Sequence, residues 1–216
     1  MDIDPSELSV RERYALMTAA IAPRPIAVVS TCSPEGALNL APFSFFTGLG
    51  SNPMTLVFCP ANGRGGVEKD TLRNAKPVAE GGSGEFVVGV ATSQQIRRVV
   101  AASEPLPHGE SEFELAGLTP VPSRIVKPPR MAESPVSFEC RTLQVIRTNE
   151  GQPGGGNLVL GEVVHLHIAD EVLDATGSLN ADALALIGRM GGQEYLECTH
   201  RFTLPPGLKA LRPLDP

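Results

Sequence analysis

The chain has 216 residues, 42% of them hydrophobic and 19% charged, enough for one domain over residues 1–216 with a substantial core. Its net charge of −6 argues against general nucleic-acid binding, which leans on clustered Lys and Arg to neutralise phosphates. No clean apolar run is long enough to span a bilayer and the start is acidic rather than basic, so we expect no membrane association and a cytoplasmic location.

Ser9-Val-Arg-Glu12 has the form of a capping box, and Val10, Tyr14, Met17 and Ile21 follow at helical spacing. This predicts a helix, ended by Pro23 and Pro25, that covers a sheet. A β-branched run from Ile26 to Val29 reads as the first strand, and Ser33-Pro-Glu-Gly36 as a turn. A second strand is expected from Leu38 to about Thr47 and a third from Met54 to Cys59. Asn62-Gly-Arg-Gly-Gly66 is a loop, after which Lys69, Thr71 and Arg73 gather at the start of a short helix. Gly81 to Gly84 turns into a strand at Glu85–Val90, and a helix opening at Thr92 puts Ile96, Val99 and Val100 on one face.

From Ser103 to Pro135 the chain is irregular, with prolines at 105, 107, 120, 122, 128, 129 and 135 and only a short turn at Glu112–Leu115. A strand then resumes at Val136 and runs to about Ile146. Thr148 to Asn157 reads as a glycine-rich hairpin loop, and Leu158 to Ile168 as a long strand with His165 and His167 on one face. A short helix is expected from Ser178 to Ile187, ended by Gly188 to Gly192, and a last strand from Tyr195 to Leu204. The 22 glycines, 20 prolines and seven or eight strands with two to four short helices make a mainly β chain. A closed or split barrel suits it better than a doubly wound sheet.

The candidate chemistry sits early in the chain. A helix start with a lysine and a hydroxyl suits a phosphate, so Arg64, Lys69 and Thr71, helped by Ser30 or Thr31, are candidate ligands. The competing reading is a solvated amphipathic turn. No Gly-Lys-Ser/Thr and no strand-to-helix Gly-x-Gly-x-x-Gly occurs, which disfavours a P-loop and a Rossmann site. In Asn39-Leu-Ala-Pro-Phe-Ser-Phe-Phe46 a proline within a strand demands an edge or a bend, which frees backbone groups for a ligand. Asn39, Ser44 and Thr47 would supply hydrogen bonds and Phe43, Phe45 and Phe46 apolar walls; the alternative is an irregular edge with core phenylalanines. Arg189 and Tyr195 either reach a cofactor ring or serve as a helix cap and a core tyrosine.

The four cysteines (32, 59, 140, 198) are scattered and lack a Cys-x-x-Cys pair, so reduced thiols rather than a zinc site are expected. His165 and His167 lack a third ligand at suitable spacing, and His108 and His200 read as ordinary loop and strand histidines. No metal site is expected. Gly-x-Ser-x-Gly is absent too, so nothing supports a serine hydrolase.

Seven motifs in order resemble the flavin reductase-like proteins with an FMN-binding split barrel, the family of flavoredoxin and of the reductase components of two-component monooxygenases. They are Pro23 to Thr31, Asn39 to Phe46, Asn52-Pro53, Lys69 to Asn74, Glu133-Ser-Pro135 with Phe138-Glu-Cys140, Gly161 to Val164, and Arg189 to Tyr195. The resemblance spans roughly residues 10 to 205. It implies a Greek-key split β-barrel with a few peripheral helices, a homodimer with FMN near the subunit interface, and NADH or NADPH as co-substrate. Ser30, Thr31, Arg64, Lys69 and Thr71 would contact phosphate and ribityl. The stretch Asn39, Leu40, Ala41, Pro42, Ser44, Phe46 and Thr47 would follow the isoalloxazine edge, with Arg189 and Tyr195 closing the pocket. No catalytic side chain is implied. The family offers two roles, an NAD(P)H-dependent FMN reductase supplying a partner monooxygenase and a non-enzymatic FMN-binding electron carrier.

Overall fold

The computed structural model describes residues 1–107 and 109–211; His108 lies outside the described residues. Helix α1 (Val10–Ala20) starts at the expected capping box, with the Ser9 hydroxyl accepting the Glu12 N–H and the Glu12 carboxylate accepting the Ser9 N–H. It does not cover a sheet. Only Thr18 is buried, while Val10, Tyr14, Met17 and Ile21 remain 43–57% exposed. The helix is tied down at its C-terminal end, where buried Arg24 binds the carbonyls of Thr18 and Ile21, and its apolar side faces outward.

Strands β1 (Arg24–Pro25), β2 (Ala27–Cys32), β3 (Leu38–Phe43), β4 (Phe46–Ser51) and β5 (Met54–Phe58) follow. The single strand expected from Leu38 to Thr47 is therefore two, broken at Ser44 and Phe45, because the pieces lie on opposite edges of the sheet. Next come α2 (Asp70–Ala75), β6 (Glu85–Val90) and α3 (Ile96–Ala101). Helix α3 starts later than Thr92 because the Gln95 side chain accepts the Thr92 N–H and shapes residues 92–95 into a turn. Then follow α4 (Glu112–Ala116), β7 (Pro120–Val121), β8 (Arg130–Met131), β9 (Val136–Arg147) and β10 (Asn157–Ile168). Last are α5 (Ala181–Leu184), β11 (Ile187–Arg189) and β12 (Tyr195–Glu197). The helix expected over 178–187 shrinks to α5. Asn180 caps the N–H groups of Asp182 and Ala183, and Ala185 turns left-handed at φ 44°. The last strand stops at Glu197, where its three-residue partner β11 ends.

Seven antiparallel strands form the main sheet in the order β3-β2-β6-β9-β10-β5-β4. Laid flat, six inter-strand steps of about 4.8 Å would separate its edges by roughly 29 Å. Yet β3 and β4 are joined by Ser44 and Phe45 alone, a link that reaches at most about 10 Å. The sheet must roll up. Its inner face bears this out, since the Phe43 ring on the first edge strand packs at a tilt 5.5 Å from Phe58 of β5, which meets Phe86 edge-on at 5.1 Å. No ladder joins β3 to β4, so the roll stays open on that side.

Ala27, Val29, Leu56, Val88 and Val159 complete the inner core with the phenylalanines, and Leu72 and Ala75 of α2 pack into it. Gly161 is required there, because a Cβ at this position would lie 2.3 Å from the Phe86 ring. An outer core packs α3 and α4 on the other face through Val28, Leu40, Val99 and Phe113. Smaller sheets are β1-β11-β12 and β7-β8. Among the described residues no helix is long and apolar enough to cross a membrane.

Candidate functional site

A cleft of about 640 Å³ opens between the free edge of β3, the 63–71 segment and the turn after α3. That volume lies within the roughly 300–1,000 Å³ range of sites for cofactor-sized ligands. Asn39, Ala41, Pro42, Arg64, Lys69 and Thr71 all line it. A second hollow of about 220 Å³ shares Pro42, Phe43 and Ser103 with the first and adds Tyr14, Ser44, Arg189 and Tyr195. The two adjoin along β3 at these shared residues, with the cationic turn at one end of the groove they line and the Arg189–Tyr195 pair at the other.

The cationic end is built by loops that pin one another. Gly66 has φ +78° and no room for a Cβ, which would lie 1.9 Å from the Gly151 carbonyl, so the loop carrying Arg64 packs on the β9–β10 hairpin tip. Asn62 adds bonds to the carbonyl of Gln152 and to Asn157. Nearby acids are already paired: Glu68 with Lys76 at 2.9 Å and Arg147 at 3.4 Å, and Asp70 with Arg73. Among the described residues neither Arg64 nor Lys69 has an ion-pair partner. Lys69 Nζ lies 5.8 Å from the Phe43 ring centroid, and desolvation holds its pKa below the ordinary lysine value. Helix α2 has only six residues and no side-chain cap at Lys69, so charge rather than a helix dipole draws an anion here.

Behind that wall lies a closed polar cluster. Asn39 Nδ2 donates to Thr31 Oγ1 and to Thr71 Oγ1, both at 3.0 Å, and Asn74 Nδ2 donates to Thr31 Oγ1 at 3.1 Å. All four residues are buried.

The β3 edge offers fewer backbone donors than a strand normally would. Pro42 has no N–H and sits at an outward position, where the ladder to β2 loses nothing. The outward Leu40 N–H is taken by the Glu112 carboxylate at 2.8 Å. Burial raises the Glu112 pKa, and the Leu40 bond only partly offsets it. A ligand reaches that N–H only by displacing Glu112. Farther along, the Ser44 hydroxyl accepts from Arg24 Nε at 3.2 Å, while Arg24 Nη2 binds the Met190 carbonyl at 2.8 Å. Arg189 and Tyr195 are direct cross-strand partners, and the guanidinium carbon lies 4.4 Å from the Tyr195 ring centroid.

Other candidates from the sequence lie off the groove. Successive strand residues alternate faces, so with Thr31 in the polar cluster Ser30 points the opposite way, its hydroxyl buried without a partner among the described residues. Thr31 lies behind the wall, and the Leu40 side chain is in the outer core. Phe46 lines a separate apolar hollow with Pro23, Ile26 and Leu186, and Thr47 is exposed on β4. The groove instead recruits Glu112, Tyr14 and Ser103, and the cluster recruits Asn74. Tyr14 carried a signal as an apolar position of the predicted helix, and Asn74 as the last residue of the Lys69–Asn74 motif.

The model for the flavin reductase like domain matches residues 19–187, most of the chain. The chain belongs to the flavin reductase-like family. An uncharacterized protein of Halalkalibacterium halodurans is 38% identical over 94% of this chain and 95% of its own length. Nitrilotriacetate monooxygenase component B from Bacillus cereus superposes with a TM-score of 0.86 at 32% identity, covering 94% of this chain and 98% of the other. A candidate flavin reductase with a split barrel domain from Shewanella frigidimarina gives a TM-score of 0.79 over 96% of this chain and 100% of the other. At 20% identity that last likeness speaks for the fold alone. The matched span of this flavin reductase-like chain holds the cationic end and the β3 edge; Tyr14 and Tyr195, which line the far end, fall outside it.

Proposed function

We propose that this flavin reductase-like protein binds FMN along the β3 groove and is reduced by NADH or NADPH, supplying reduced flavin or electrons to a partner. The observation that carries the reading is that two hollows adjoin along β3, from two cations without ion-pair partners among the described residues to an apolar edge and the Arg189–Tyr195 pair. FMN fits this donor set. Its phosphate is matched by Lys69, Arg64 and the Thr71 hydroxyl, and its flat ring by the apolar flank of Ala41, Pro42 and Phe43.

Bound FMN would supply the hydride-accepting centre, and the protein's part is to bind, orient and shield. Lys69 and Arg64 fix the anionic end, and Pro42 presents a surface without a competing N–H. Arg189, held over the Tyr195 ring, sets a positive charge at the far end, where negative charge on a reduced ring would be stabilised. No side chain need act as nucleophile. We also infer a split-barrel fold from the open roll of the sheet, a homodimer, a cytoplasmic location and, by analogy with the component B relative, a partner monooxygenase.

Anaerobic addition of NADH or NADPH to the FMN-loaded protein tests the reading. Bleaching of the visible flavin band, with steady nicotinamide oxidation when FMN is in excess, is the expected result. FMN uptake without nicotinamide oxidation would leave a non-enzymatic electron carrier, and failure to take up FMN would overturn the proposal.

A further inference from the structure

Two of the four residues in the buried cluster, Thr31 and Asn74, do not line the cleft, yet their hydrogen bonds decide what the wall shows to a ligand. Both amide hydrogens of Asn39 are committed, one to Thr31 and one to Thr71. Thr71 Oγ1 thus already accepts a hydrogen bond, and its own proton is left to donate towards the cleft that the residue lines. Thr31 Oγ1 accepts from Asn39 and from Asn74, so both of its acceptor sites are filled. This makes Asn74 the outermost anchor of the chain of bonds. Its own carbonyl accepts the Ser83 N–H at 2.7 Å, which fixes it from the far side. Asn74, on α2, and Thr31, on β2, are 3% and 0% exposed, and neither lines the groove.

We propose that Asn74 is a positioning residue which, through Thr31 and Asn39, holds the Thr71 hydroxyl as a donor and makes this end of the groove select a phosphate monoester over the same ligand without its phosphate. The inference rests on the flavin reading. Of the carboxylates that also line the cleft, Glu68 and Asp70 are paired with other cations and Glu112 holds the Leu40 N–H. The Thr71 hydroxyl, Arg64 and Lys69 are therefore satisfied by a group with acceptors only, such as a phosphate dianion. An uncharged hydroxyl terminus leaves those donors partly unpaired.

The test compares FMN with riboflavin, which differ only in the phosphate, by titrating each into the full-length protein and following flavin fluorescence. Wild type should hold FMN more tightly than riboflavin. Losing the anchoring bond in Asn74→Ala should weaken FMN by about tenfold and riboflavin by less than about twofold, so the ratio between them collapses. Asn74→Asp, which keeps the shape but removes the donor, should behave likewise. If the alanine variant does not fold, Thr31→Val removes the shared acceptor at nearly constant volume and is read the same way. Equal losses for both flavins, or an unchanged ratio, would mean a merely structural role and overturn the proposal. A wild type that binds riboflavin as well as FMN would overturn it too, and one that binds neither would instead overturn the flavin reading beneath it.

Discussion

Lys69 has water on one side and protein on the other, and that position sets both its strength and its pH range. Partly desolvated, with no ion-pair partner among the described residues, it gains more from an incoming anion than a fully solvated lysine does. Lys69→Met should weaken FMN binding by about tenfold or more, read by fluorescence titration, and leave the melting temperature nearly unchanged. The sign of the pH effect follows. The folded pKa lies below the ordinary value, so anion affinity should fall on the alkaline side earlier than for a solvated lysine with pKa near ~10.4. An affinity flat through that range would contradict the role. Lys69, Thr71 and Pro42 were legible as local chemistry, namely a charge, a hydroxyl and a proline inside a strand. Glu112 was not, because its partner Leu40 is 72 residues away and the irregular stretch around it carries no pattern.

At the scale of elements, Glu139 shows how the proline-rich segment is held. It lies inside β9, is fully buried, and accepts the N–H groups of Arg124, Ile125 and Val126 at 2.8, 2.6 and 3.3 Å. Burial alone would raise its pKa, but the three bonds to the ionised form prevail and hold it below the ordinary carboxylate value. A depressed folded pKa means that its stabilisation is present above the unfolded value and is lost as pH falls through the folded one. Glu139→Gln should therefore cost about 2 kcal/mol at neutral pH, seen as a lower melting temperature, and the gap to wild type should close in acid below pH ~4. A constant gap across that range would refute the account. Strand pairs were well read where alternation or a glycine-rich turn marked them, as for β9 and β10. The split of β3 from β4 was missed because Ser44 alone, without Gly, Asn or Asp beside it, is a weak turn signal; the break comes from closing the roll, a constraint set by strands far along the chain. The helices around 92 and 181 were drawn too long, since the Gln95 side chain turns back onto the Thr92 N–H and the Asn180 side chain caps α5, overriding the run of helix formers.

The whole molecule keeps a large apolar surface that a lone chain leaves bare. Val10, Tyr14, Met17 and Ile21 along α1 are exposed, and so, elsewhere in the chain, are Phe202 and Leu208 at 77% and 84%. Tyr14 also lines the groove, so a homodimer formed through α1 would place its interface beside the ligand. Sedimentation should show a dimer, and Met17→Asp should shift it towards monomer; a wild type that sediments as a monomer at micromolar concentration would refute this. Composition and strand pattern made a mainly β chain readable in advance, whereas the outward turn of α1 depended on what packs against it, which one chain's hydrophobic spacing does not state.

The account stands on a single ligand occupying the groove from end to end. A crystal structure of the FMN-loaded protein tests that most directly. It should show the phosphate against Lys69, Arg64 and Thr71, with the ring along Pro42 towards Arg189 and Tyr195. A ring bound elsewhere, for example in the separate hollow lined by His167, Glu133 and Arg98, would contradict it.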